Sequence, residues 1–134
     1  MEREYEKEVT ILLYDCKKDL KLEKEEAERI MKNVANLAKV KLIDYTYYQH
    51  NGGGISAYSI IEESYIGLET WPEYNLLIVR IASCNPKSDF VKVRKYLINE
   101  FEPKETIEEE RKIGLKERFY KKVRSRTIYL KQNF

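Results

Sequence analysis

Several residue types that build common active sites are scarce in this 134-residue chain. His50 is the single histidine, and Cys16 and Cys84 are the two cysteines. One histidine and two distant thiols make a poor ligand set, so we predict no metal site. Two cysteines are also too few for a disulfide framework. We therefore predict free thiols in a reducing cytoplasm, with Cys16 as a small buried residue at a strand end.

Long apolar runs and strong net charge are absent as well. No run approaches the roughly 18 apolar residues that a membrane span requires, and the charged N-terminus is unlike a signal peptide. The net charge of +2 gives no global attraction to nucleic acid. Residues 111–131 carry nine basic side chains and one acidic, which we interpret as a solvated terminal face. We therefore predict neither a membrane nor a nucleic-acid partner.

The distribution of apolar residues predicts one domain over residues 1–134. Three- and four-residue spacing after an acidic start predicts a helix over residues 23–39, and Ser88 or Asp89 is expected to cap a second helix that ends near Phe101. Strands are predicted at residues 9–14, 40–48, 55–61, 64–70 and 74–82, with a weak edge strand at 104–112. This order predicts an α+β fold, a two-layer sandwich of a largely antiparallel sheet with two helices packed on one face.

Residues 51–84 contain most of the unusual residues. Three glycines follow Asn51, but no Lys-Ser/Thr pair completes a phosphate-binding loop. Ser64 would have only His50 as the base of a serine hydrolase, and its flanks do not form a nucleophile elbow. Cys84 is either a proton donor or a buried structural thiol. Four carboxylates would attract a cationic small molecule or simply form a solvated edge: Glu62, Glu63, Glu69 and Glu73.

Four short motifs follow one another in this stretch: G-I-S at 54–56, E-S at 63–64, T-W-P-E at 70–73 and S-C at 83–84. Their residues and spacing resemble the prokaryotic pyruvoyl-dependent S-adenosylmethionine decarboxylase proenzymes. The resemblance implies a lyase of polyamine and spermidine biosynthesis that is made as a zymogen. Members of that family cut themselves at a Glu-Ser bond. The resemblance therefore implies autocatalytic cleavage between Glu63 and Ser64 and a pyruvoyl cofactor derived from Ser64.

The same resemblance implies roles for the other motif residues. Cys84 matches the family's proton donor to the carbanion left by decarboxylation, and Ser56 matches a serine that assists processing. Trp71 and Glu73 match the region that holds the adenosyl group at the interface of a homodimer, through a flat apolar face and a carboxylate acceptor. His50 stands where the family has an aromatic residue, and it would stack on adenine. The implied ligand is S-adenosylmethionine or a similar small molecule.

Two positions depart from the family pattern E-S-H-x-x-x-H-T-W-P-E. Tyr65 replaces the first histidine, and Glu69 replaces the second, which is the family's processing base. A free glutamate has a pKa about two units below that of histidine and is a weaker base, unless burial beside Glu62 or Glu63 raises its pKa. Two alternatives therefore stay open. One is a non-cleaving, non-catalytic homologue that binds a ligand or regulates a partner, and the other is an arginine decarboxylase of the same superfamily.

Overall fold

The structure, a computed structural model, describes residues 4–129, with side chains for residues 4–122. Within that range the helices are α1 (Lys24–Leu37) and α2 (Phe90–Phe101). The strands are β1 (Tyr5–Tyr14), β2 (Lys41–Leu42), β3 (Thr46–Gln49), β4 (Ile55–Glu62), β5 (Ser64–Trp71), β6 (Leu76–Ser83), β7 (Glu105–Gly114) and β8 (Tyr120–Tyr129). A short 3₁₀ turn, Pro72–Tyr74, connects β5 to β6.

The described strands form one antiparallel sheet in the order β2-β4-β5-β6-β1-β7-β8, with β3 also paired to β4. The strand β6 lies between β5 and β1, because Ile81 pairs with Ile66 on one side and with Val9 on the other. Strands and helices thus follow the predicted order, and the α+β prediction is confirmed.

The helices cover one face of the sheet because both layers carry matching apolar stripes. Along β1, buried residues alternate with half-exposed ones, as expected for a strand with one covered face. Each fully buried Leu, Ile or Val contributes about 1.5–3 kcal/mol to folding. The stripes of β1, α1 and α2 belong to one core: Val9, Ile11, Leu13, Ala27, Ile30, Met31, Val34, Val93, Leu97 and Phe101.

The helix α2 is fixed at its start and along its length. The Asp89 carboxylate accepts hydrogen bonds from the backbone N–H groups of Val91 and Lys92, at 3.1 and 3.2 Å, as predicted for an N-cap. Arg94 donates to Glu108 on β7 at 2.6 Å, which ties the helix to the sheet. In the described part of the chain, neither helix has the length and apolar character to cross a membrane.

The region predicted as one strand over residues 40–48 forms two short strands, β2 and β3. The chain between them is held by local bonds of Asp44, whose carboxylate accepts from the N–H of Tyr45 at 2.8 Å and whose carbonyl accepts from the hydroxyl of Ser59. Such local hydrogen bonds compete with ladder pairing, and they explain the interruption.

The prediction of an edge strand over residues 104–112 is wrong in one respect, because β7 is an interior strand. β8 pairs along its free side, so part of the basic tail forms a strand rather than only a solvated face. Lys122 on β8 lies 3.4 Å from Glu109 on β7. The register also places Arg124 and Arg126 of β8 opposite Glu110 and Glu108 of β7. Residues 130 and 131 of the tail lie outside the described residues.

Candidate active site

The β4–β5 hairpin determines the position of Ser64. β4 ends at Glu62 and β5 begins at Ser64, so Glu63 alone connects the two strands. Ser64 has a φ of +116°, a conformation that costs a residue other than glycine on the order of 1–3 kcal/mol. The Glu63–Ser64 bond, at which the sequence predicts cleavage, therefore lies at a strained hairpin tip.

Sheet register brings two further side chains to this tip. Ser83 on β6 pairs with Ser64 on β5 and with Lys7 on β1. Glu6 and Cys84, the sequence neighbours of Lys7 and Ser83, therefore lie close to Ser64. The Ser64 hydroxyl donates to Glu6 Oε2 at 3.0 Å, and Cys84 Sγ lies 4.0 Å from the same oxygen. We call Ser64, Glu6 and Cys84 the serine end of β5.

The opposite end of β5 lines a concave site of about 360 Å³. Ser56 on β4 pairs with Glu69 on β5, Trp71 ends β5, and Glu73 follows in the 3₁₀ turn. His50 reaches the same concavity from the turn before β4. We call these five residues the tryptophan end of β5.

The glycine run folds His50 back toward β4. Gly52 and Gly53 have φ values of +93° and +95°, which glycine adopts without steric cost. His50 Nε2 lies 2.8 Å from Ser56 Oγ, and its ring meets that of Tyr48 edge-on with centroids 4.9 Å apart. The histidine is therefore held beside the concave site by a hydrogen bond and an aromatic contact.

Glu69 is engaged by two partners. Arg80 donates to one carboxylate oxygen at 2.6 Å, and the Tyr58 hydroxyl donates to the other. Burial favours a raised pKa for Glu69, but the hydrogen bonds from Tyr58 and Arg80 outweigh it and hold the pKa below the ordinary 4.5. The net shift is opposite to the one that would make Glu69 a stronger base.

The two ends of β5 are far apart within one chain. Five residue steps separate Ser64 from Glu69, which is about 17 Å in a strand that rises roughly 3.3 Å per residue. The structure thus brings Ser64 together with Cys84. It places Glu63 beside Ser64 at the hairpin tip. The other sequence-predicted residues come together at the tryptophan end, and the two groups are not joined in one chain.

The two thiols have different surroundings. Cys16 is 6% exposed, and burial raises the pKa of its thiol to about 12, so it stays neutral and inert. Cys84 is half-buried at the serine end. Neither cysteine forms a disulfide, and the prediction that Cys16 is a buried structural residue is confirmed. Among the side chains of residues 4–122, no three His, Cys, Asp or Glu converge on a metal-sized site.

Two charged residues of this site, Glu6 and Arg80, are not among those that the sequence motifs predict. Glu6 lies in an N-terminal run with Glu4 and Glu8 on either side, so nothing in the local pattern distinguishes it. Arg80 is different, because it is the one charge inside the apolar strand β6. A lone charge in such a strand signals a partner across the sheet, and that partner is Glu69.

Comparison with known proteins identifies the family. A family model described as S-adenosylmethionine decarboxylase matches residues 7–112. The S-adenosylmethionine decarboxylase proenzyme of Sulfurisphaera tokodaii is 35% identical over 92 residues, covering 69% of this chain and 75% of that relative. The corresponding proenzyme of Saccharolobus solfataricus is 32% identical over 92 residues, with 69% and 73% covered.

A solved structure gives the same fold. The adenosylmethionine decarboxylase of Aquifex aeolicus matches with a TM-score of 0.74 and 22% identity, over 87% of this chain and 96% of that chain. The fold and the site define a two-layer α+β protein with a hydrogen-bonded serine at a hairpin tip. The chain belongs to the S-adenosylmethionine decarboxylase family.

Proposed function

We propose that this chain is a pyruvoyl-dependent S-adenosylmethionine decarboxylase formed by self-cleavage at the Glu63–Ser64 bond. One observation carries the proposal: in a member of this family, the Ser64 hydroxyl lies at a strained hairpin tip against a carboxylate acceptor. The protein would be one domain over residues 1–134, cut after residue 63. It would act in the cytoplasm, in polyamine and spermidine synthesis.

Cleavage begins with the Ser64 hydroxyl. Its oxygen attacks the carbonyl carbon of Glu63, an ester bond forms as the C–N bond breaks, and the hydroxyl proton ends on the Ser64 nitrogen. Loss of the Ser64 Cα proton then expels the Glu63 carboxylate. Water replaces the nitrogen at Cα, which releases ammonia and leaves a ketone. The strained φ of Ser64 raises the energy of the intact chain and so favours the first step.

The residues at the serine end fit a pyruvoyl group. Ser64 pairs with Ser83, so the new N-terminus would stay in the sheet after the cut. Cys84 shares this end with Ser64, which suits a thiol that returns a proton to the substrate carbon. When formed, the pyruvoyl ketone supplies the electron sink for loss of carbon dioxide.

The tryptophan end suits recognition of an adenosyl group. Trp71 is 45% exposed and offers a flat apolar face for stacking. Glu73 can accept hydrogen bonds from sugar hydroxyls, and the His50 ring lines the same concavity. In this proposal Ser56 and Glu69 assist processing.

A homodimer would bring the two ends together. Because about 17 Å separates them along β5, we propose that the tryptophan end of one copy completes the serine end of the other. The sheet face opposite the helices supports this arrangement, since Ile60 is 58% exposed there and Trp71 is 45% exposed. Burial of such side chains favours association of two copies.

The ion pair of Glu69 with Arg80 favours one alternative, a homologue that keeps the ligand site but does not cleave. A carboxylate with a lowered pKa is a poor replacement for a processing histidine. An arginine decarboxylase is the lesser alternative, because the T-W-P-E motif does not fix the substrate side chain.

Release of labelled carbon dioxide tests the proposal. Purified protein is incubated with carboxyl-labelled S-adenosylmethionine or arginine, with Ser64→Ala as the inactive control. We expect release from S-adenosylmethionine alone. Release from arginine alone would assign the lesser alternative, and a lack of release from either substrate would favour the non-catalytic homologue.

A further inference from the structure

Glu6 lies between two reactive groups that the proposed function uses. It belongs to β1 and projects from the sheet face opposite the helices, since the buried residues of β1 are odd-numbered from Val9 to Leu13. One of its oxygens, Oε2, accepts the hydrogen bond of the Ser64 hydroxyl at 3.0 Å. The same oxygen is 4.0 Å from Cys84 Sγ. A single carboxylate oxygen thus contacts both the nucleophile and the thiol.

We propose that Glu6 is the general base of self-cleavage. The inference rests on the proposed function, because it assigns the proton acceptor for the first step of that reaction. Glu6 takes the Ser64 hydroxyl proton as Oγ bonds to the Glu63 carbonyl carbon. It returns the proton to the Ser64 nitrogen as the C–N bond breaks. The carboxylate therefore ends the step as it began it.

Distance and hydrogen bonding favour Glu6 over the other titratable residues. A general base must lie within hydrogen-bond reach of the proton that it removes, and among the described side chains Glu6 is the one that accepts from Ser64 Oγ. Within one chain Glu69 is about 17 Å along β5 from Ser64, and wherever a second copy would place it, both of its oxygens are engaged by Arg80 and Tyr58. His50 lies at the same end of β5 and is hydrogen-bonded to Ser56.

The hydrogen bond also has a structural interpretation, in which it only attaches the hairpin tip to β1. A glutamine at position 6 separates the two roles, because its amide oxygen still accepts a hydrogen bond but is not a base. Glutamate at position 8 provides the matched control. Glu8 lies on the same strand and the same sheet face, two residues further from the hairpin tip.

The experiment follows cleavage of the full chain by intact mass for the wild type, Glu6→Gln, Glu6→Asp and Glu8→Gln, with and without neutral hydroxylamine. Hydroxylamine cuts an ester at Glu63 but not the peptide bond, so it reports whether the first step has occurred. Any cut at Asn51–Gly52, a bond sensitive to hydroxylamine, is recognised by its different mass.

We expect Glu6→Gln to slow cleavage about a hundredfold, with no increase on adding hydroxylamine. Glu6→Asp should restore part of the rate, and Glu8→Gln should cleave like the wild type.

Four results would overturn the inference. Cleavage of Glu6→Gln at the wild-type rate would exclude Glu6 as the base, and hydroxylamine cutting of that variant at the wild-type rate would place Glu6 after the ester. A wild-type chain that stays intact would overturn the proposed function along with it. If Glu6→Gln unfolds more readily than Glu8→Gln, the Glu6→Asp variant decides, and a Glu6→Asp cleavage rate no higher than that of Glu6→Gln would count against the base.

Discussion

The two ends of β5 use the same strand in different ways. At the serine end, Ser64 lies on β5, Glu6 lies on β1 and Cys84 directly follows β6, and sheet register holds all three around one carboxylate oxygen. At the tryptophan end, His50 and Glu73 lie on turns, and both are exposed. Groups that form and break bonds need fixed geometry, whereas groups that recognise a ligand tolerate a more adaptable setting. The difference supports the proposed division, with chemistry at the first end and recognition at the second.

Removing the nucleophile should give the largest effect. Ser64→Ala has no hydroxyl to attack the Glu63 carbonyl, so we expect no cleavage and a single species of intact mass. Ser88→Ala is the control, because Ser88 belongs to neither end. Fragments of residues 1–63 and 64–134 from Ser64→Ala would show that another group cuts the chain.

Removing the thiol at the serine end should separate cleavage from decarboxylation. Cys84→Ala should still cut itself but should lose about a hundredfold or more in turnover, as expected when a proton donor is lost. Cys16→Ala should keep its turnover, because the raised pKa of the Cys16 thiol, about 12, leaves it inert. Equal turnover of both variants and the wild type would remove Cys84 from the reaction.

A change at the tryptophan end should affect binding more than chemistry. Trp71→Ala should raise the KM for S-adenosylmethionine about tenfold, which corresponds to roughly 1.4 kcal/mol of lost contact. Cleavage should stay at the wild-type rate. Tyr74→Ala is the matched control, since Tyr74 is a nearby aromatic residue that is 68% exposed. A fall in kcat with KM unchanged would contradict the assignment of this end to recognition.

Removing the ion pair of Glu69 with Arg80 at the tryptophan end should give the smallest effect, a small loss of folding stability. A lowered folded-state pKa means that ionised Glu69 stabilises the fold above its unfolded-state value near 4.5, and that this contribution is lost as pH falls through the lowered pKa. Because Arg80 is 37% exposed and Glu69 23% exposed, solvent screening keeps the contribution below about 1 kcal/mol.

Urea unfolding of the wild type and Glu69→Gln measures this contribution. The variant should be slightly less stable near neutral pH, and the difference should vanish in strong acid. Glu62→Gln changes an exposed residue on β4, and it should leave the free energy of unfolding unaltered both near neutral pH and in strong acid. A difference between the wild type and Glu69→Gln that grows as pH falls would mean that the pKa of Glu69 is raised.

The parts of the fold that the sequence predicts are those with strong apolar periodicity. β5 and β6 match their predicted ranges to within two residues at each end, because short apolar runs between turn residues are a clear strand signal. β8 was missed because its charged residues hide that signal. Its pairing depends on a long-range match to the acidic strand β7.

The site shows the same division between local and long-range information. Ser64, Cys84, Trp71 and Glu73 stand in motifs that one stretch of chain reveals. Glu6 is 58 residues from Ser64 in sequence, and only the pairing of β1 and β5 with β6 brings them together. The reduced basicity of Glu69 likewise depends on Arg80 across the sheet, which no local pattern specifies.

Intact mass of the purified wild-type chain after prolonged incubation shows directly whether the Glu63–Ser64 bond breaks. We expect two species, residues 1–63 and residues 64–134, the second with a pyruvoyl-blocked N-terminus that resists Edman degradation. A single uncut species of 134 residues would contradict self-cleavage at Glu63–Ser64 and would leave the fold as a ligand-binding homologue.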